Sequence, residues 1–182
     1  EIPRSTARIW GVPRMTYDLV AIGNPVYDFI NTLGTASGQR VLSGCSTNGC
    51  LAAKRLGMKK VVLVGNVGAD FSQGFDAEMG RHGVKVINTG PTDQTTGFSI
   101  RYDEDGERTL RLIAEAGKIS IRRVWSECQP TRYLLLGPVF GEIDVPEIAR
   151  LIESSQCRVF LDPQGFVRRL GKDGEVEHFC ER

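Results

Sequence analysis

The chain has 182 residues, enough for one domain of ordinary size with a true hydrophobic core. Its apolar (41%) and charged (25%) fractions are those of an ordinary globular protein. The 23 Lys and Arg nearly match the 22 Asp and Glu, so no bulk charge draws it to nucleic acid or to a membrane surface. No stretch approaches the ~20 apolar residues that span a bilayer, and residues 1–14 lack the apolar centre of a secretory signal. Cys45, Cys50, Cys128, Cys157 and Cys180 are widely and irregularly spaced, with only His82 and His178 beside them. That pattern does not suit zinc and reads as the reduced, mostly buried thiols of a cytoplasmic protein.

Residues 1–14 carry two prolines and neither helical nor strand period. They are expected to lie outside the core, as an expression remnant or an upstream extension, with Met15 as the natural start. Tyr17 to Gly23 (YDLVAIG) reads as a buried strand ending in glycine. Ser46 or Thr47 is placed to cap a helix with Leu51, Ala52 and Leu56 on one side and Gly57 at its end. Lys59 to Gly65 is a second buried strand. A second helix begins at Asp70 or Ser72, with Asp70 read as its cap, carries Phe71, Phe75 and Met79 at fourfold spacing, and closes at Gly83 just after His82. Val84 to Asn88 is strand-like again.

Between Gly97 and Ile113 the pattern changes. FSIRY alternates, DEDG turns, and RTLRLI alternates back, which predicts an antiparallel hairpin lying outside the main sheet as a flap or lid. The charges of DEDGER are expected to be a solvated tip. Parallel-sheet signals resume with Tyr133 to Gly137, a helix from Pro146 to about Ser155, and a strand from Arg158 to Asp162. The remaining residues are expected to stop without a closing strand, as though cut within a domain. Strands alternating with helices predict an α/β fold, a mostly parallel sheet covered by helices.

Ligands of open parallel sheets bind at the carboxyl ends of strands. Four such ends carry polar or glycine-rich sequence: GNPVYD, GNVGAD, GPVFGEID and DPQGFVR. Together they predict a shared site in which Asp28, Asn48 and Asp162 offer groups that bond hydroxyls. No segment reads G-x-x-x-x-G-K-[ST], no G-x-G-x-x-G follows the first strand, and no serine sits in a G-x-S-x-G elbow. These gaps argue against a Walker-type ATPase, a dinucleotide-dependent dehydrogenase and an α/β-hydrolase.

The ordered series GNPVYD, SGCSTNGCLAAKRLG, LVGNVGADFSQG, TTGFSIRYDEDGERT and VFLDPQGFVR resembles the PfkB, or ribokinase, family of carbohydrate kinases over roughly residues 17–169. The resemblance implies a ribokinase-like fold for residues 15–182, with the hairpin at about 97–113 as a small β lid. It implies that Asp28, Gly44, Asn48 and Phe98 meet the acceptor, a sugar or nucleoside, and that Arg168 of the D-P…R element lies near the transferred phosphate. ATP and Mg2+ are the implied cofactors. Ser43, Cys45, Ser46 and Cys50 depart from the small residues usual in the family's first glycine signature. The family's G-A-G-D loop, with its anion hole and catalytic base, is expected beyond Arg182, so no catalytic residue and no metal ligand is assigned in this chain.

The expected function is therefore an ATP-dependent phosphotransferase acting on a sugar or nucleoside hydroxyl, represented by its acceptor-binding portion. A non-catalytic binding or assembly module with the same fold is the alternative. A homodimer formed through the lid's exposed strand edge is consistent with both.

Overall fold

The computed structural model describes residues 17–32 and 35–179. Residues 1–14, Met15 and Cys180 lie outside the described residues, and so do the expectations placed on them. Five strands form a wholly parallel sheet in the order β5-β4-β1-β8-β9: β1 (Tyr17–Ile22), β4 (Val61–Val64), β5 (Val84–Ile87), β8 (Thr131–Leu136) and β9 (Arg158–Leu161). The inner strands β1, β4 and β8 are largely apolar because both of their faces are covered, whereas β9 at the edge leaves Phe160 and Leu161 about half exposed. Leu19, Ala21 and Leu63 face one cluster, with α1 (Cys45–Arg55) and α2 (Ser72–Arg81). The intervening Val20, Ile22, Val62 and Val64 face the other, with α3 (Ile121–Val124) and α4 (Val145–Glu153). The two-residue alternation of a strand thus builds two cores from one continuous apolar run.

A second, four-stranded sheet stands outside this sandwich. It contains β2 (Val26–Thr32), β3 (Thr35–Ser43), β6 (Gly97–Tyr102) and β7 (Arg108–Ala114) in the order β3-β2-β6-β7. The β6–β7 hairpin is antiparallel as the alternation predicts. The sequence pattern did not reveal β2 and β3, which double the lid, and β2 runs parallel to β6. Its face packs Val26, Phe98 and Leu110 onto Val139 of the loop after β8. Arg40 of β3 lies 5.0 Å over both the Phe29 and Phe71 rings and 3.7 Å from Asp70, tying the lid to the start of α2.

Three local expectations are corrected. Helix α1 starts from Gly44 at φ 103°, with no side-chain cap from Ser46 or Thr47. Its buried residues are Ser46, Thr47, Cys50 and Ala53, whereas Leu56 is 86% exposed and Ala52 is exposed too. The cause is close approach. A Cβ on Gly49 would sit 2.5 Å from Leu135 Cδ2, and one on Gly137 2.8 Å from Cys45 Sγ, so this helix must show its small face to the sheet. Asp70 does not cap α2; it accepts hydrogen bonds from Thr95 N–H (3.0 Å) and Thr95 Oγ1 (2.7 Å). Finally, the chain after β9 carries an antiparallel pair, β10 (Arg168–Leu170) and β11 (Val176–His178), where no closing strand was expected. Phe75 and Met79 are fully buried as the helical spacing predicts.

The packing leads to a stability contrast. Phe75→Ala should lower the unfolding free energy by about 3–5 kcal/mol, read from urea denaturation. Leu56→Ala, at an exposed apolar residue, should stay within about 0.5 kcal/mol.

Candidate acceptor site at the sheet's carboxyl end

The carboxyl ends of β1, β4, β5 and β8 are joined by buried polar side chains. Glu142 is 1% exposed, and its carboxylate accepts from the N–H groups of Asn24 (2.9 Å), Val139 (2.9 and 3.0 Å) and Phe140 (2.8 Å). Three backbone donors compensate the loss of water around this carboxylate. Asn24 Oδ1 accepts from Asn66 N–H at 2.8 Å, and Asn66 Oδ1 accepts from the N–H and hydroxyl of Thr89 at 3.1 and 2.6 Å. Asn24 and Asn66 donate their amide groups to the carbonyls of Gly117 and Lys118, each at 2.9 Å. These bonds hold the loop that leads out of the lid against the strand ends.

Beside this brace lies a cavity of about 550 Å³ between the parallel sheet and the lid. Asp28, Gly44, Asn48, Phe98 and Arg168, far apart along the chain, all line it. Asp28 reaches it from β2 and Phe98 from β6. Gly44 and Asn48 come from the start of α1, and Arg168 from the first residue of β10. Gly44 is a glycine for a reason: its positive φ is strained for any side chain, and a Cβ would lie 3.1 Å from the Asn24 carbonyl oxygen. Of the four polar strand ends, GNPVYD, GPVFGEID and DPQGFVR contribute Asp28, Val139, Asp162, Gln164 and Arg168 to the lining. GNVGAD does not; its Asn66 and Asp70 serve as braces.

Asp28 is 5% exposed and accepts the Phe98 N–H at 3.2 Å. Burial pushes its carboxyl above the usual range, and bonds from Ser43 and Phe98 together with the nearby Arg168 and Arg108 only partly offset this. The Cys45 thiol, also in the lining, is pushed up to about 12, first by burial and then by Asp162, its hydrogen-bond partner; it is a neutral donor and a poor nucleophile. Asp162 also accepts the Gln164 N–H at 3.0 Å. Arg168 donates through Nη1 to the Val139 carbonyl at 3.0 Å, and its guanidinium carbon lies 5.7 Å over the Phe98 ring. Burial and the like charge of Arg108 lower its affinity for its proton, although an arginine stays charged at neutral pH.

Arg108, Cys45 and Gln164 were not anticipated as lining residues. Arg108 closes the DEDGER run read as a solvated tip, yet it lines the cavity. The available signal was its place in RTLRLI. It stands two residues before Leu110, which lines the same cavity, and so belongs to the strand's inward face. Among the described residues no three His, Cys, Asp or Glu side chains gather to hold a metal ion. With Glu142 taken up by backbone donors, the cavity lining provides no cradle for the implied Mg2+.

No family model and no curated protein matches the sequence. Solved structures do match its fold. A pyrophosphate-dependent kinase of the ribokinase family, complexed with a pyrophosphate analog and myo-inositol, aligns at TM-score 0.70 and 18% identity over 88% of this chain and 54% of that one. Ribokinase from Thermotoga maritima aligns at TM-score 0.62 and 16% identity over 81% and 52%. The Burkholderia thailandensis nucleoside kinase in complex with inosine aligns at TM-score 0.59 and 18% identity over 80% and 52%.

The state of Asp28 is testable through pH. Its folded-state pKa lies above the 3.8 of a free aspartate, so the stability it contributes is fully present below that value and lost as pH rises through the raised one. Asp28→Asn, which keeps an oxygen for the Phe98 N–H, should therefore be at least as stable as wild type at pH 7. It should also gain less on acidification to pH 4. A clear loss in urea midpoint at pH 7 would show that the charged carboxylate is stabilising instead.

This chain spans about half the length of the kinases it matches, and it has the ribokinase-like α/β fold.

Proposed function

We propose that the chain is the acceptor-binding portion of a PfkB-family phosphotransferase, acting with ATP and Mg2+ on a hydroxyl of a sugar or nucleoside. The single observation that carries this reading is the cavity under the lid, where Asp28, Asn48 and Arg168 converge on a site of small-molecule size. Two of the matched kinases were solved with myo-inositol and with inosine, polyhydroxylated molecules of suitable size for such a space. In this reading residues 15–182 form one partial domain, with the 97–113 hairpin as its lid.

The chemistry divides by residue. Asp28 accepts a hydrogen bond from an acceptor hydroxyl, and Asn48 supplies a second, amide contact from the first turn of α1. The apolar lid face, with Phe98 and Ile100, excludes water from the reacting hydroxyl. Arg168 offsets negative charge near the transferred phosphoryl group. ATP supplies the phosphoryl group, and the base that takes the hydroxyl proton is assigned to the G-A-G-D type loop that the resemblance puts beyond Arg182. A cytoplasmic location and a homodimer through the lid edge belong to the same proposal. Among the described residues no helix is long and apolar enough to cross a membrane.

Binding is the direct test. Purified protein titrated with ribose, myo-inositol and inosine by calorimetry should bind at least one of them. Asp28→Asn and Asn48→Ala should weaken that ligand by about tenfold or more, the scale of a hydrogen bond to a charged group or a lost buried partner. No binding by wild type, or undiminished binding by both variants, removes the acceptor-site reading. Binding without phosphorylation by the full-length gene product would instead favour the non-catalytic module. A single-chain mass in light scattering would remove the dimer.

A further inference from the structure

Asp28 is gripped from behind. Strand alternation sends the side chains of its neighbours, Tyr27 and Phe29, to the face of β2 opposite the cavity that Asp28 lines. On that face Tyr27 stacks on Phe71, just before α2, with ring centroids 4.1 Å apart and planes 15° from parallel. The Arg40 guanidinium carbon lies 5.0 Å from the ring centroids of both Phe29 and Phe71. Arg40 also stands directly across from Phe29 in the β2–β3 ladder. Tyr27, Phe71, Arg40 and Phe29 therefore form one continuous stack, and its two ends are the residues on either side of Asp28.

The same cluster reaches the strand that supplies the carboxylate's backbone donor. Asp70 faces Arg40 through Oδ2 at 3.7 Å and holds Thr95 through Oδ1, accepting its N–H at 3.0 Å and its hydroxyl at 2.7 Å. Thr95 is fully buried, and its Oγ1 accepts the Gly68 N–H at 2.9 Å. The next residue, Thr96, accepts the Tyr27 N–H on its carbonyl at 3.0 Å, and Phe98 gives its own N–H to Asp28 Oδ1 at 3.2 Å. An isolated, part-exposed ion pair such as Arg40–Asp70 contributes little by itself. Its leverage comes from its place at the joint of an aromatic stack and a buried hydroxyl, where losing the guanidinium loosens Phe29, Phe71 and Asp70 together. Neither Arg40 nor Asp70 lines the cavity.

We propose that Arg40 is a positioning residue for the acceptor: packed behind β2, it fixes where the Asp28 carboxylate points into the cavity. The inference rests on the acceptor-site reading and deepens it, since it assigns part of the affinity for a hydroxylated ligand to a side chain that never meets that ligand. A hydrogen bond weakens steeply as its angle bends, so a small rotation of β2 costs ligand affinity without unfolding the domain.

The test uses the purified chain, titrated by calorimetry with ribose, myo-inositol and inosine. Arg40→Met keeps an apolar stem and removes the charge. It should weaken whichever of these binds by about fivefold, and Arg40→Lys should recover part of the loss. Phe71→Leu, which removes the ring linking both halves of the stack, should weaken binding to a similar extent. In an Asp28→Asn background the effect of Arg40→Met should shrink to within about twofold, because a residue that acts through Asp28 then has nothing left to position. Without any ligand, the Phe98 amide, followed by NMR, should exchange its hydrogen about tenfold faster in Arg40→Met. That acceleration should exceed any change at Val20 and Leu63, whose amides in the central strands report the stability of the whole domain.

The proposal is overturned if Arg40→Met binds as tightly as wild type while Asp28→Asn does not. It is overturned as well if Arg40→Met costs the same in both backgrounds, or if the Phe98 amide speeds up no more than Val20 and Leu63, since the cluster would then support only the fold. In those cases the loss in Asp28→Asn keeps the acceptor site itself standing. No binding of any of the three by wild type, or undiminished binding by Asp28→Asn, removes the site and this inference with it.

Discussion

A buried carboxylate governs the carboxyl end of this sheet. Glu142 has almost no exposure, and it is tolerable there only because three backbone N–H groups point at it. That requirement folds the Gly137–Asp144 loop back over β1 and β8 and presents the Val139 carbonyl outward, where it accepts from Arg168. The same bonds capture the Asn24 N–H, and Asn24 in turn orders Asn66 and, through it, Thr89. One desolvated charge therefore sets the wall of the cavity, the position of Arg168 and the course of the chain from lid to body. Removing any donor would leave a charge in a dry place, so the network is rigid by necessity.

The other wall depends on size. Helix α1 approaches the sheet through Ser46, Gly49 and Cys50, with Gly137 opposite, and the Ser46 hydroxyl reaches the Gly137 carbonyl at 3.3 Å. Larger residues there would lift the helix and with it Gly44 and Asn48. Ser46 and Cys50 are thus spacing elements, and the Cys45 thiol beside them, its pKa pushed up to about 12 by burial and Asp162, is a poor nucleophile.

The lid is held at two places, by Val26, Phe98 and Leu110 on Val139 and by the Arg40 cluster at α2. Because it is anchored at both, its inward face is a defined surface over the cavity. Arg108 lines that cavity from its exposed edge, whereas the acidic residues of the same turn do not.

By itself, the sequence determined what depends on local periodicity. Short apolar runs identified β1, β4, β5, β8 and β9, fourfold spacing placed Phe75 and Met79 in the core, and alternation around DEDG found the β6–β7 hairpin. Asp28 and Asn48 were legible as candidates from their polar strand-end or helix-start sequence, Gly44, Phe98 and Arg168 only through the family resemblance, and the structure brings all five to one cavity. Only tertiary structure decided what depends on partners distant in the chain. β2 and β3 gain their identity by pairing with each other and with β6, so their own residues carry little signal. The inward face of α1 was chosen by the closeness of the sheet, which favours Ser46 and Ala53 over the larger Leu56. Asp70 found Thr95 instead of a helix end, and Arg108 became a cavity residue, because strand register, not residue type, determines which side of a lid a charge must face.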